Sequence, residues 1–146
     1  MAPRNSVVTQ FSSGKINQFF VQGGKKIEAP MATFEGITGN GPSEEFCKSQ
    51  FSTFGDRDRF TEVGGWTAMN KALSSPWVLV MSLWDDHYAN MLWLDSSYPP
   101  EKAGTPGGDR GDCAQESGVP TDVESKQASS KVVWSNIRFG PIGSTV

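Results

Sequence analysis

The run "WVLVMSLW", Trp77 to Trp84, constrains the fold more than any other stretch of this chain. Its apolar residues fall on both faces of an alternating strand. A strand of that kind has to be covered on both sides, so the run predicts a central strand in a layered sheet. A second strand is predicted at "ANMLWLD", Ala89 to Asp95. Near the end of the chain, "KVVWSNIRFGPIG" alternates with period two. It puts Val132, Trp134, Asn136 and Arg138 on one face and Val133, Ser135, Ile137 and Phe139 on the other.

The N-terminal third carries the same signal in a more local form. "VVTQF", Val7 to Phe11, is a short β-prone run. "KINQFFVQ" and "KKIEAP" flank Gly23-Gly24, a two-residue turn that predicts a β-hairpin. The one predicted helix is "GWTAMNKALSS", short, amphipathic and ending before Pro76. "EGITGNGPSEEF" and "FGDRDRFTEVGG" read as loops. From Ser96 to about Val123 the chain is rich in Pro, Gly, Ser and Asp, a long loop that is unusual in a compact chain unless it serves a function. There is no internal repeat and no linker. The expected class is all-β, a sandwich of antiparallel strands with long loops and one short helix.

The chain has 146 residues, enough for one domain with a core of its own. Its net charge of −3 is the wrong sign for a nucleic-acid footprint, which needs a basic face. Its apolar runs fall far short of the roughly 20 residues of a membrane span. "MAPRNSVVTQF" has no apolar segment of the kind that leads a secreted chain, so it is not read as a signal peptide. Cys47 and Cys113 have neither C-x-x-C spacing nor histidine neighbours, which argues against zinc. They are read as buried thiols, as one long-range disulfide, or as halves of bridges to partners outside the chain.

Asp85-Asp86 is the obvious carboxylate pair. Adjacent strand residues point to opposite faces, whereas bond cleavage with retention at a sugar needs two carboxyls about 5–5.5 Å apart on one site. The pair is therefore read as hydrogen-bonding a ligand or capping a loop, not as cutting. Asp56 and Asp58 alternate with arginines in "GDRDR", a pattern of local ion pairs on a solvated loop. Glu44-Glu45 after Ser43 reads as a surface turn or a helix start. Glu101 and Asp109 carry no partner signal. His87 has no serine or cysteine nucleophile motif beside it and reads as structural or exposed. "GTPGGDRG" and "GITGNG" do not join a strand to a helix, so neither is a phosphate cradle. Trp84 and Trp93 have two readings, as core residues or as flat platforms whose indole faces stack on sugar rings and whose N–H groups donate to a ligand.

"VLVMSLWDDHYANMLWLDSSYP", "GTPGGDRGDC" and "SGVPTDVESKQASSKVVWSNIRFGPIGST", with "VVTQF" and "INQFFVQ" upstream, resemble the C-terminal part of the fungal-type family-seven cellobiohydrolases. The resemblance runs from about Val7 to Thr145. It implies a concanavalin-like β-jelly-roll sandwich, here partial, whose loops roof a tunnel. The implied activity is cleavage of β-1,4-glucan from reducing ends, with release of cellobiose and retention at the anomeric carbon. No metal or cofactor is implied. The implied partner is cellulose or a cello-oligosaccharide, and the complete enzyme would be a secreted monomer.

Residue by residue, the resemblance makes Trp84 a platform on the substrate side of the cleavage point and Trp93 a platform on the product side. Asp85 matches an acidic residue that hydrogen-bonds sugar hydroxyls, and Arg110 matches an arginine that holds the cellobiose product. Tyr88 falls in a tunnel-edge loop. His87 stands where the pattern usually has an aromatic residue. The length of "DDHYANM" and "SSYPPEKAGTPGGDRG" favours the tunnel-forming cellobiohydrolase over the open-cleft endoglucanase.

The family's catalytic motif, E-x-D-x-x-E, is absent. The glutamates are Glu28, Glu35, Glu44, Glu45, Glu62, Glu101, Glu116 and Glu124, and none begins that pattern. In the family the motif lies upstream of "VVTQF". The expectation is that residues 1–146 are the C-terminal portion of a single cellulase catalytic domain, with no cellulose-binding module or linker. On the same reading Met1 is internal to a longer gene, and Cys47 and Cys113 have disulfide partners outside the chain. Such a chain holds substrate- and product-site residues but no catalytic residues, and alone it is expected not to hydrolyse cellulose. The alternatives are a non-catalytic, lectin-like carbohydrate-binding sandwich, or a truncated gene product without function, with an exposed inner face and unpaired sheet edges.

Overall fold

The computed structural model describes residues 5–146. Residues 1–4, the start of the stretch read as carrying no signal peptide, lie outside the described residues. The chain divides into two compact units: residues up to Val78 together with Arg138–Val146, and Leu79–Ile137.

The first unit is built on a three-stranded antiparallel sheet, β1 (Asn5–Ser12), β2 (Lys15–Gln22) and β3 (Lys25–Glu28), in that spatial order. The β2–β3 turn follows from the sequence. Gly23 and Gly24 have φ of 58° and 78°, the left-handed pair that a two-residue hairpin turn requires. The register places Val8 opposite Phe19. These two are the buried residues of the sheet, so one face carries the apolar contact and the other is wet. Helix α1 (Glu44–Phe54) starts at Ser43, whose hydroxyl accepts from the Phe46 N–H, and stops at Gly55 with φ 65°. Helix α2 (Arg59–Glu62) is capped by Asp58. Helix α3 (Gly65–Leu73) is the predicted one and buries Trp66, which meets Phe60 edge-to-face at 5.6 Å. Asn70 on α3 accepts from the Gly14 N–H, tying that helix to the β1–β2 turn.

The second unit has no strand ladder among the described residues. It contains α4 (Leu92–Asp95), a 3-10 turn at Pro100–Lys102, and α5 (Pro120–Lys126). Its organising residue is Ser96, almost fully buried just after α4. The Ser96 hydroxyl donates to the Cys113 carbonyl at 2.6 Å, and its own carbonyl accepts from the Arg110 N–H at 2.7 Å. The Cys113 N–H donates to the Asp95 carbonyl at 2.9 Å. These bonds fold the 96–118 segment back onto the end of α4. Gly111 and Gly118 sit where a Cβ would strike the Asp95 and Asn90 carbonyls, so the close approach needs glycine at both positions.

Several expectations are corrected here. Trp77–Trp84 forms no ladder, and Val78 and Val80 are 84% and 78% exposed. The alternating run from Lys131 to Gly140 also stays unpaired, with Asn136 in the left-handed region at φ 53° and Phe139 exposed. Apolar alternation states that a strand needs neighbours; no neighbour for either run lies among the described residues. "ANMLWLD" is not a strand but a turn leading into α4. The described residues hold five α-helices rather than one: Asp58 and the Val119-Pro120 step each start a helix inside a segment read as loop, and Ser43 starts the helix that was one of the two readings of Glu44-Glu45. The paired strands are antiparallel, as expected. No helix among the described residues is long and apolar enough to cross a membrane.

Candidate sugar-binding corner

All five residues singled out as sugar ligands, Trp84, Asp85, Tyr88, Trp93 and Arg110, lie in the second unit. Trp84 and Trp93 come together: their ring centroids are 6.4 Å apart with 65° between the planes, an edge-to-face pair. Trp84 is 65% exposed and Trp93 36% exposed, so each ring keeps apolar face in solvent. Both indole N–H groups are already used within the chain. Trp84 donates to the Ser82 hydroxyl and Trp93 to the Asp86 carboxylate, each at 2.8 Å. The expected free indole donors are therefore absent, and the two bonds fix the ring orientations instead.

Asp86 carries the arrangement by capping its loop, one of the two roles expected of the Asp85-Asp86 pair. Its carboxylate accepts from the Tyr88 and Ala89 N–H groups through Oδ1 and from the Met91 N–H and the Trp93 indole through Oδ2. The Tyr88 N–H, with the Trp93 indole next, favours the charged form and holds the carboxyl down at about 2. The turn it closes ends with Asn90 and Met91 both at positive φ, 52° and 61°. Aspartate followed by a short polar turn is the available sequence signal, since its side chain bonds backbone N–H groups a few residues on.

The two neighbouring aspartates thus separate, as their alternation implied. Asp86 is spent on the loop, whereas Asp85 turns towards His87, with 3.7 Å between Oδ2 and the imidazole Nε2. His87 Nε2 is also 3.0 Å from Glu124 Oε1 on α5. Tyr88, at the tip of the Asp86 turn, is 92% exposed. Arg110 is held through its backbone by Ser96, and its guanidinium makes no ion pair among the described residues. Asp109 does have a partner set: it accepts from the Ser97 hydroxyl and the Gly104 N–H, and the Ser97 contact, first, lowers its pKa.

Elsewhere, Glu62 and Asp58 hold local structure. Glu62 takes both Arg57 and Arg59, and Asp58 caps α2. An open hollow lies beside α1, lined by Thr38, Glu44, Glu45, Lys48 and Ser49, with Lys48 paired to Glu44. Both cysteines are free thiols, Cys47 half-buried and Cys113 exposed. Burial raises the pKa of the first, and the Asp95 charge raises that of the second.

The sequence matches Glycosyl hydrolase family 7 over residues 3–146. The chain belongs to this family. Among solved structures, the family 7 chain is 57% identical to a cellobiohydrolase from Melanocarpus albomyces, solved in complex with cellotetraose, with a TM-score of 0.90 over 96% of this chain and 33% of that one. It is 43% identical to a cellobiohydrolase from Daphnia pulex, with a TM-score of 0.91 over 97% of this chain and 35% of that one. It is 32% identical to an endocellulase from Humicola insolens, with a TM-score of 0.64 over 84% of this chain and 28% of that one. The chain therefore spans about a third of the length of the cellobiohydrolases it matches. Its fold is a partial β jelly roll of the family 7 kind.

Proposed function

We propose that this family 7 chain binds a β-1,4-glucan at the Trp84–Trp93 corner and contributes the substrate- and product-side contacts of a secreted retaining cellobiohydrolase. The observation that carries this reading is the corner itself. Two indoles with exposed faces are locked by Ser82 and Asp86 rather than packed away in a core. With 65° between their planes, they stack on two different sugars only if the glucan twists between them. Asp85 and Tyr88 stand beside the platforms in sequence and offer a carboxylate and a phenol to sugar hydroxyls, and Arg110 offers a guanidinium to the product. The cellobiohydrolase form is supported over the endocellulase form by the wider coverage and higher TM-score of the former. On the same reading, Cys47 and Cys113 take disulfide partners beyond these residues.

Hydrolysis with retention needs a nucleophile and a general acid on carboxyls about 5–5.5 Å apart across the scissile bond. Asp85 and Glu124 approach within 4.8 Å, but both are exposed and both face the imidazole of His87. The residues in hand therefore hold a glucan and do not cut it. The test is depletion of the purified chain by cellulose together with turnover of a chromogenic β-cellobioside. Binding that falls in Trp84→Ala and Trp93→Ala, without turnover, is expected. Binding indifferent to both substitutions would sink the reading.

A further inference from the structure

The geometry points to a divalent-cation site at Asp85, His87 and Glu124, which shares Asp85 with the proposed sugar contacts and adds two residues outside them. The three side chains come from two places: Asp85 and His87 are two residues apart beside the Asp86 turn, and Glu124 projects from α5. One atom of each lies within 4.8 Å of the others. The Nε2–Oε1 and Nε2–Oδ2 distances are 3.0 and 3.7 Å. Ligand atoms held tetrahedrally at about 2.0–2.1 Å from zinc are themselves about 3.3 Å apart, midway between these values. The third separation, between the two carboxylates, is within 4.8 Å, and the exposed Asp85 and Glu124 side chains have to close on the ion.

Charge favours the same assignment. Among the described residues no lysine or arginine pairs with Asp85 or Glu124. The nearest lysine on α5, Lys126, is taken by Asp122. Two carboxylates thus face one imidazole, and a neutral imidazole leaves their charge unanswered. A 2+ ion balances it. One nitrogen and two carboxylate oxygens suit a zinc-class cation, whereas magnesium and calcium prefer sites of oxygen alone. On binding, the neutral imidazole gives its Nε2 lone pair to the metal and carries its single proton at Nδ1. Water completes the shell, since the cluster is exposed.

The inference does not depend on glucan binding and is tested without it. His87 is the only histidine, so its ring nitrogens give a single, assigned pair of signals in a long-range proton–nitrogen spectrum. The full chain carrying Cys47→Ser and Cys113→Ser, which removes the competing thiols, is titrated with zinc chloride at neutral pH. The expected result is a saturable shift of the Nε2 signal at one zinc per chain, with no shift from magnesium. Asp85→Asn and Glu124→Gln should each weaken that binding at least about tenfold, the loss that even an outer-shell partner costs a metal site. A shift that survives both substitutions, or none below millimolar zinc, overturns the site.

Discussion

The β1–β2–β3 sheet and the Trp77–Trp84 run carry the same kind of sequence signal and meet different fates. In the sheet, each strand's partner is the next strand along the chain, brought round by a glycine turn, and Val8 finds Phe19 across the ladder. Trp77–Trp84 is more apolar than any of the three, yet it has no ladder and leaves Val78 and Val80 in solvent. Hydrophobic pattern measures how much a strand gains from being covered, whereas local turns decide whether the cover is within reach. The comparison also locates the candidate corner: Trp84 ends the uncovered run, and its orientation comes from Ser82, as that of Trp93 comes from Asp86, rather than from sheet pairing.

Substitutions sharpen the contrast. The largest effect is expected at Phe19, the most buried apolar residue of the sheet at 4% exposure. Phe19→Ala should cost about 3–5 kcal/mol of unfolding free energy in urea titrations. Gly24→Val comes next. The position has open space for a side chain but φ of 78°, so the strain is all in the backbone, about 1–2 kcal/mol by the same titration. Asp86→Ala should leave the sheet intact and release Trp93, seen as loss of dispersion of the Trp93 indole proton resonance. Protonation should mimic it. Asp86 is held at about 2 in the folded chain, below the roughly 3.9 of a free aspartate. Its stabilisation is therefore full above about pH 4 and lost as pH falls towards 2. The smallest effect is expected for Val80→Thr, within about 0.5 kcal/mol, because the residue is already solvated. A cost like that of Phe19→Ala at Val80 would break the comparison.

The β2–β3 hairpin, α3 and the separation of Asp85 from Asp86 were legible because each rests on contacts between near neighbours in sequence. Gly23-Gly24 specifies its turn, and adjacent residues in an extended segment diverge. What was not legible rests on contacts that period alone does not encode. "ANMLWLD" has a strand's composition, but Asp86 takes the Ala89 and Met91 N–H groups and the chain turns into α4. The 96–123 segment reads as loop by composition, yet the buried Ser96 and the close approaches at Gly111 and Gly118 give it a defined path. Of the candidate site, both platforms and Asp85 were named from sequence. Asp86 was read, with Asp85, as a ligand contact or a loop cap. The Ser82 support and the partner of His87 on α5 were not read, because a hydroxyl acceptor two residues away and a helix residue some forty positions on leave no periodic trace.

The central claim is that the Trp84–Trp93 corner holds a glucan that these residues do not cleave. Calorimetric titration of the chain with cellotetraose, followed by chromatography of the mixture, tests it most directly. Saturable binding, abolished by Trp84→Ala or Trp93→Ala, with cellotetraose recovered intact, is the predicted result. Release of cellobiose by the purified chain, or binding that neither substitution alters, would contradict it.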